Sequence, residues 1–134
     1  LCLVSPTELR LPDTIIDLLN AYGVAYHETA DLFEVLRDSD VLYWTRIQEE
    51  RFTDRSRYDA LHDAFEMTPG LLNQAKREVI LMHPLPRKHE MGSPADHDLL
   101  DANPRAVYFQ QMENGMFVRM ALLALVLGVS ETLL

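Results

Sequence analysis

One cysteine, Cys2, is too few for an intrachain disulfide. That fits a reducing compartment, and the cytoplasm is the expected location. Cys2 lies in the apolar run Leu1-Cys2-Leu3-Val4 and is expected to be buried filler. Glycine is equally sparse. The five glycines form neither G-x-G-x-x-G nor G-x-x-x-x-G-K, so no loop of these types cradles a phosphate, and no cofactor is expected. Basic residues are outnumbered, 12 against 21 acids, for a net charge of −9. Without a basic stripe to displace counterions, nucleic acid is not an expected partner. The longest apolar run, residues 121 to 129, is far short of a membrane span. The first residues lack the basic start of a signal peptide and read as a strand and turn that begin mid-element, as in a piece of something longer. His83 and His89 lie near Glu90, and His97 lies between Asp96 and Asp98, but no spacing matches a zinc site, so no metal is expected.

What is present is one domain's worth of chain, 134 residues with an ordinary apolar content of 48%. Apolar strand-like runs alternate with helical spacing. Strands are expected at residues 1–5, 24–29, 40–46 and 79–84, with a short one at Phe65-Glu66-Met67. A helix is expected between Pro12 and Gly23. A second, over 31–39, sets Leu32, Phe33 and Leu36 on one face. A third carries Tyr58, Leu61 and Phe65, and a fourth starts with Thr68 as cap and Pro69 at its first position. The last spans 103–128 with an interruption near Asn114-Gly115. This order predicts an α/β fold, a parallel Rossmann-like sheet flanked by helices and closed by a long carboxyl-terminal helix.

In such sheets ligands bind outside the carboxyl ends of strands. Two segments occupy that position, Tyr43-Trp44-Thr45-Arg46-Ile47-Gln48 and His83-Pro84-Leu85-Pro86-Arg87. A guanidinium at Arg46 can take a carboxylate at two points, with Gln48 beside it. It can equally pair with Glu49 or Glu50. Pro84 and Pro86 remove two N–H donors and leave carbonyls free for a ligand that brings N–H groups. A plain strand-ending turn remains the alternative. The X-Pro turn permits a cis Leu85-Pro86 bond.

Three stretches, "LYWTRIQEERF", "MHPLPR" and "PRAVYFQQMENGMFVRMALLALVLG", together resemble the carboxyl-terminal, aspartate-binding domain of the aspartate transcarbamoylase family. The likeness runs over residues 1–134. Pro84, where the ornithine enzymes carry cysteine, favours aspartate. The resemblance implies transfer of a carbamoyl group from carbamoyl phosphate to L-aspartate, giving N-carbamoyl-L-aspartate and phosphate in pyrimidine biosynthesis. It implies that Arg46 and Gln48 bind aspartate. Pro84, Leu85 and Pro86 would hold the carbamoyl amide and the substrate amine. Together with the X-Pro turn, the resemblance makes a cis Leu85-Pro86 bond the expectation. Arg87 would support the site by pairing with acids in the loop 48–58, with Glu50 and Arg119 also supporting. Partners would be the amino-terminal domain of the same enzyme and two further copies in a homotrimer.

The sequence departs from the family at His89, where bacterial members often carry an acid that meets the arginine matching Arg119; Glu90 is the candidate substitute. It also departs at Arg55 and Arg57. The Ser-Thr-Arg-Thr phosphate signature and the Gly-Arg-Thr arginine are absent. The catalytic residues are therefore expected in an amino-terminal domain upstream, and this chain alone is expected to be inactive. The other readings are a transcarbamoylase for another amino acid, and a non-catalytic binding or scaffold module of the same fold.

Overall fold

A computed structural model of the chain describes residues 1–129. Four strands alternate with helices: β1 (Cys2–Val4), α1 (Asp13–Ala21), β2 (His27–Thr29), α2 (Leu32–Leu36), β3 (Val41–Tyr43), α3 (Arg55–Leu61), α4 (Pro69–Leu72), β4 (Ile80–Met82), α5 (Pro94–Asp101) and α6 (Tyr108–Val126). Both strand pairs, β1 with β2 and β3 with β4, are parallel. The α/β class with a long final helix is therefore as expected. The expected single sheet is instead divided into two hydrogen-bonded pairs.

The core lies on one face of β3 and β4. Leu42, Leu81 and Val79 are buried there with Trp44, Met67, Leu72, Met91, Leu100 and Tyr108. Strand alternation turns Val41, Tyr43 and Ile80 to the other, exposed face. Beyond β4 the backbone of Leu81 bonds the segment entering α6: its N–H donates to Arg105 O at 2.8 Å, and its carbonyl accepts from Val107 N at 2.9 Å. The start of the long helix is thereby tied to the strand that leads into the proline turn.

Local signals account for most boundaries. Gly23 adopts φ 64 just past α1, a conformation glycine takes without penalty. Asp31 caps α2 by accepting from Phe33 N, and Thr68 caps α4 by accepting from Leu71 N.

Four further expectations are corrected, and one helix is added. Phe33 is exposed, and the buried face of α2 is Leu32, Val35 and Leu36, the i, i+3, i+4 set. Residues 65–67 form no strand, because Phe65 closes a 3₁₀ turn and Met67 N donates to the loop carbonyl of Glu90 at 2.8 Å. Helix α6 runs unbroken through Asn114 and Gly115. The Asn114 side chain accepts from Gln110 Nε2, so it does not compete for the backbone, and strong helix formers flank the glycine. Helix α5 was not expected. Its signature is the box in which Ser93 caps Asp96 N while Asp96 bonds back to Ser93 N, with Pro94 at the first position. Cys2, finally, is exposed, because its strand lies at a cleft rather than inside the core.

Candidate functional site

Because β3 and β4 run parallel in the register Tyr43 with Met82, their carboxyl ends lie side by side. Trp44 extends the ladder by donating its N–H to Met82 O at 2.9 Å, and its buried indole donates to Phe65 O at 3.0 Å. That anchor fixes the path of the chain into Arg46 and Gln48. On the neighbouring strand His83 leads into Pro84, Leu85 and Pro86, with a cis Leu85-Pro86 bond as expected and Leu85 at φ 50. Arg46, Gln48, Pro84, Leu85 and Pro86 line one cleft of about 1170 Å³, which extends back between β1 and β3. Arg51 and Lys88 add two further cations to its wall. The structure thus brings the five residues singled out at the two strand ends to one place.

Arg46 is occupied. Its two terminal nitrogens donate to the two carboxylate oxygens of Glu50 at 3.0 and 2.5 Å. The guanidinium holds the Glu50 carboxyl below the ordinary glutamate range, and Glu50 in turn pushes Arg46 up. The pair is exposed, so solvent screens it and its hold is weak. Arg55 and Arg57 are taken up by Glu49 and Glu8, each at 2.8 Å.

Beneath the proline turn lies a buried polar knot. His83 is 2% exposed. Its backbone N–H donates to Gln111 Oε1 at 3.0 Å, and Gln111 Nε2 donates to the Tyr43 hydroxyl at 3.1 Å. Its Nδ1 accepts from Leu85 N at 2.9 Å. Nε2 stands 3.1 Å from Glu90 Oε1, in contact but off the line of a straight hydrogen bond. Burial pushes the Glu90 carboxyl up. The His83 contact and the N–H of Lys88 outweigh it, so the group ends below its ordinary value and stays ionised.

Two supporting roles come out differently. Arg87 does not reach the loop 48–58; it forks onto Asp101, with Nη2 at 2.7 Å from Oδ2 and Nη1 on Oδ1, and donates to the Tyr108 hydroxyl at 3.2 Å. Tyr108 also donates to Asp101, and burial with that carboxylate drives its phenol strongly up. Asp101 ends α5, a helix the apolar spacing does not announce and for which the Ser93-to-Asp96 box is the available signal, whereas Tyr108 opens the expected final helix and its role as a partner of Arg87 is a tertiary contact. Arg119 lies along Gly115 on α6, while the Glu90 carboxylate faces His83 and Lys88, so the two do not pair. Glu90 is a residue of the knot under the turn.

Together, the parallel strands and the strand-end cleft lined by Arg46 and the Pro84-Leu85-Pro86 turn define an α/β domain with a concave site where its strands end. Residues 1–126 match the family model "Aspartate/ornithine carbamoyltransferase, Asp/Orn binding domain", and the chain belongs to that family. It is 48% identical over 125 residues to Multifunctional protein CAD of Squalus acanthias, covering 93% of this chain and 5% of the relative. It is 43% identical over 127 residues to the aspartate carbamoyltransferase catalytic subunit of Clostridium novyi, covering 95% and 40%. Among solved structures, the catalytic subunit of M. jannaschii aspartate transcarbamoylase superposes with a TM-score of 0.79 at 39% identity, covering 98% of this chain and 40% of that one. Aspartate transcarbamoylase from Trypanosoma cruzi in complex with carbamoyl phosphate and aspartate gives 0.74 at 40% identity, covering 91% and 39%. The chain therefore spans about two fifths of the single-function relatives and a twentieth of the multifunctional one.

Proposed function

We propose that residues 1–134 are the L-aspartate-binding domain of an enzyme that carbamoylates aspartate from carbamoyl phosphate in pyrimidine biosynthesis. The observation that carries this reading is that Arg46 and the Pro84-Leu85-Pro86 turn line one cleft at the ends of β3 and β4. Arg46 takes one aspartate carboxylate by exchanging it for Glu50, a trade of one exposed two-point pair for another. Gln48 adds a neutral donor beside it. The turn carbonyls accept from the carbamoyl NH₂ and from the aspartate amine, which aims the amine lone pair at the carbamoyl carbon. In the reaction the new N–C bond forms, the bond from that carbon to the phosphate oxygen breaks, and the amine loses a proton as phosphate departs. This chain supplies alignment, worth several orders of magnitude in such two-substrate reactions. The phosphate is bound outside it, by an amino-terminal domain.

The names of the relatives support aspartate over ornithine, as does Pro84 in the turn. A homotrimer in the cytoplasm completes the proposal. Among the described residues no helix is long and apolar enough to cross a membrane. The test is aspartate saturation by the full-length enzyme with Arg46 replaced.

A further inference from the structure

His83 has no place in the binding scheme above, yet it is buried directly under the residues that scheme uses. Its Nδ1 receives the Leu85 N–H at 2.9 Å, so Nδ1 carries a lone pair, and the hydrogen of the neutral ring is on Nε2. That side of the ring meets the Glu90 carboxylate at 3.1 Å. In a trans peptide the N–H and the preceding C=O point in opposite directions. With the Leu85 N–H turned inward onto His83, the Pro84 carbonyl is turned outward, and Pro84 is exposed on the cleft wall. Leu85 sits at φ 50, a conformation that a leucine does not hold without support. The His83 contact fixes the peptide plane on the amino side of that residue.

We propose that His83 is a positioning residue: as the Nε2–H tautomer it locks the Pro84–Leu85 peptide plane so that the Pro84 carbonyl stands in the cleft as an acceptor for substrate N–H. The negative charge of Glu90, 3.1 Å from Nε2, favours a hydrogen on that nitrogen electrostatically, and Gln111 fixes the His83 backbone from α6. Donor, acceptor and carbonyl are then set before substrate arrives, so none of that ordering is left to the bound state. The inference rests on the proposed carbamoyl transfer for its kinetic consequence, but not for its structural one.

The experiment uses the full-length enzyme with His83→Asn and His83→Gln. Asparagine can place an oxygen where Nδ1 stands; glutamine reaches the Nε2 position and leaves the Leu85 N–H without an acceptor. His83→Gln is expected to lose about tenfold or more in kcat at saturating substrates, and His83→Asn to stay within about threefold. Thermal midpoints are read for both, so that unfolding is not mistaken for mispositioning. Equal kinetics in the two folded variants would overturn the proposal. In the wild-type enzyme, ¹⁵N–¹H spectra of His83 are expected to show the bonded hydrogen on Nε2; a hydrogen on Nδ1 overturns the proposal whatever the turnover. Absence of carbamoyl transfer by the wild-type enzyme would sink the functional reading instead, leaving the tautomer to decide the inference.

Discussion

Arg46 and Glu50, four residues apart, hold each other at two points, 3.0 and 2.5 Å, on the wall of the strand-end cleft. The cation that the cleft offers to a ligand is thus already neutralised by a carboxylate of the same segment. An entering carboxylate does not pay to bury a bare guanidinium, because it takes the place of one that is there. A ligand without a negative charge gains nothing from the exchange. In the proposed binding mode, selectivity for acids begins with this pair rather than with the charge of the domain, which is −9 and repels anions at long range.

The Arg87–Asp101–Tyr108 knot sets an acid limit on stability. Hydrogen bonding to Arg87 holds the Asp101 carboxyl below its ordinary value. A carboxyl lowered in the folded state contributes stability above its unfolded pKa, near 3.9, and loses it as pH falls through the folded value. Stability is expected to drop below about pH 4, and Asp101→Asn to flatten that drop. At neutral pH Asp101→Asn is expected to cost about 2 kcal/mol, since it leaves a half-buried Arg87 with a neutral partner. Urea titrations from pH 3 to 7 check both; an unchanged acid slope in the variant contradicts the assignment.

The entry to α5 gives a second contrast. Gly92 has φ 79, and a Cβ there would stand 2.8 Å from the Asp96 Cβ. Gly92→Ala meets both a disfavoured backbone and a clash. Ser93→Ala loses only the cap, about 1 kcal/mol. Denaturation midpoints should rank Gly92→Ala below Ser93→Ala, and the reverse order would contradict the geometry.

Much of this was legible in residue order. Alternating elements, Pro12 and Pro69 at helix starts, and Gly23 past the first helix placed most of the chain. The strand-end rule led to Arg46 and the proline turn because parallel strands bring their carboxyl ends together. The partners of those residues were not legible. Arg87 finds Asp101, fourteen residues away on α5, a helix signalled only by its capping box. His83 finds Leu85 two residues on, a side-chain-to-backbone bond inside the turn that no periodicity reports. The division of the sheet into two pairs depends on the separation of β1 from β3, a tertiary feature. Asn114-Gly115 misled because local propensity marks a break, whereas neighbouring helix formers and the Gln110 bond carry α6 through.

The central claim is that this cleft takes the acidic substrate through Arg46. The most direct measurement is aspartate saturation of the full-length enzyme at saturating carbamoyl phosphate, with Arg46→Ala and Arg46→Lys beside the wild type. The account predicts a fall of about a hundredfold or more in kcat/KM for aspartate in Arg46→Ala, since a charge-assisted two-point contact is lost. Lysine should recover only part, because it lacks the planar fork. The KM for carbamoyl phosphate should stay close to that of the wild type in both. Near-normal aspartate saturation in both variants would contradict the account and leave Arg46 as a surface partner of Glu50.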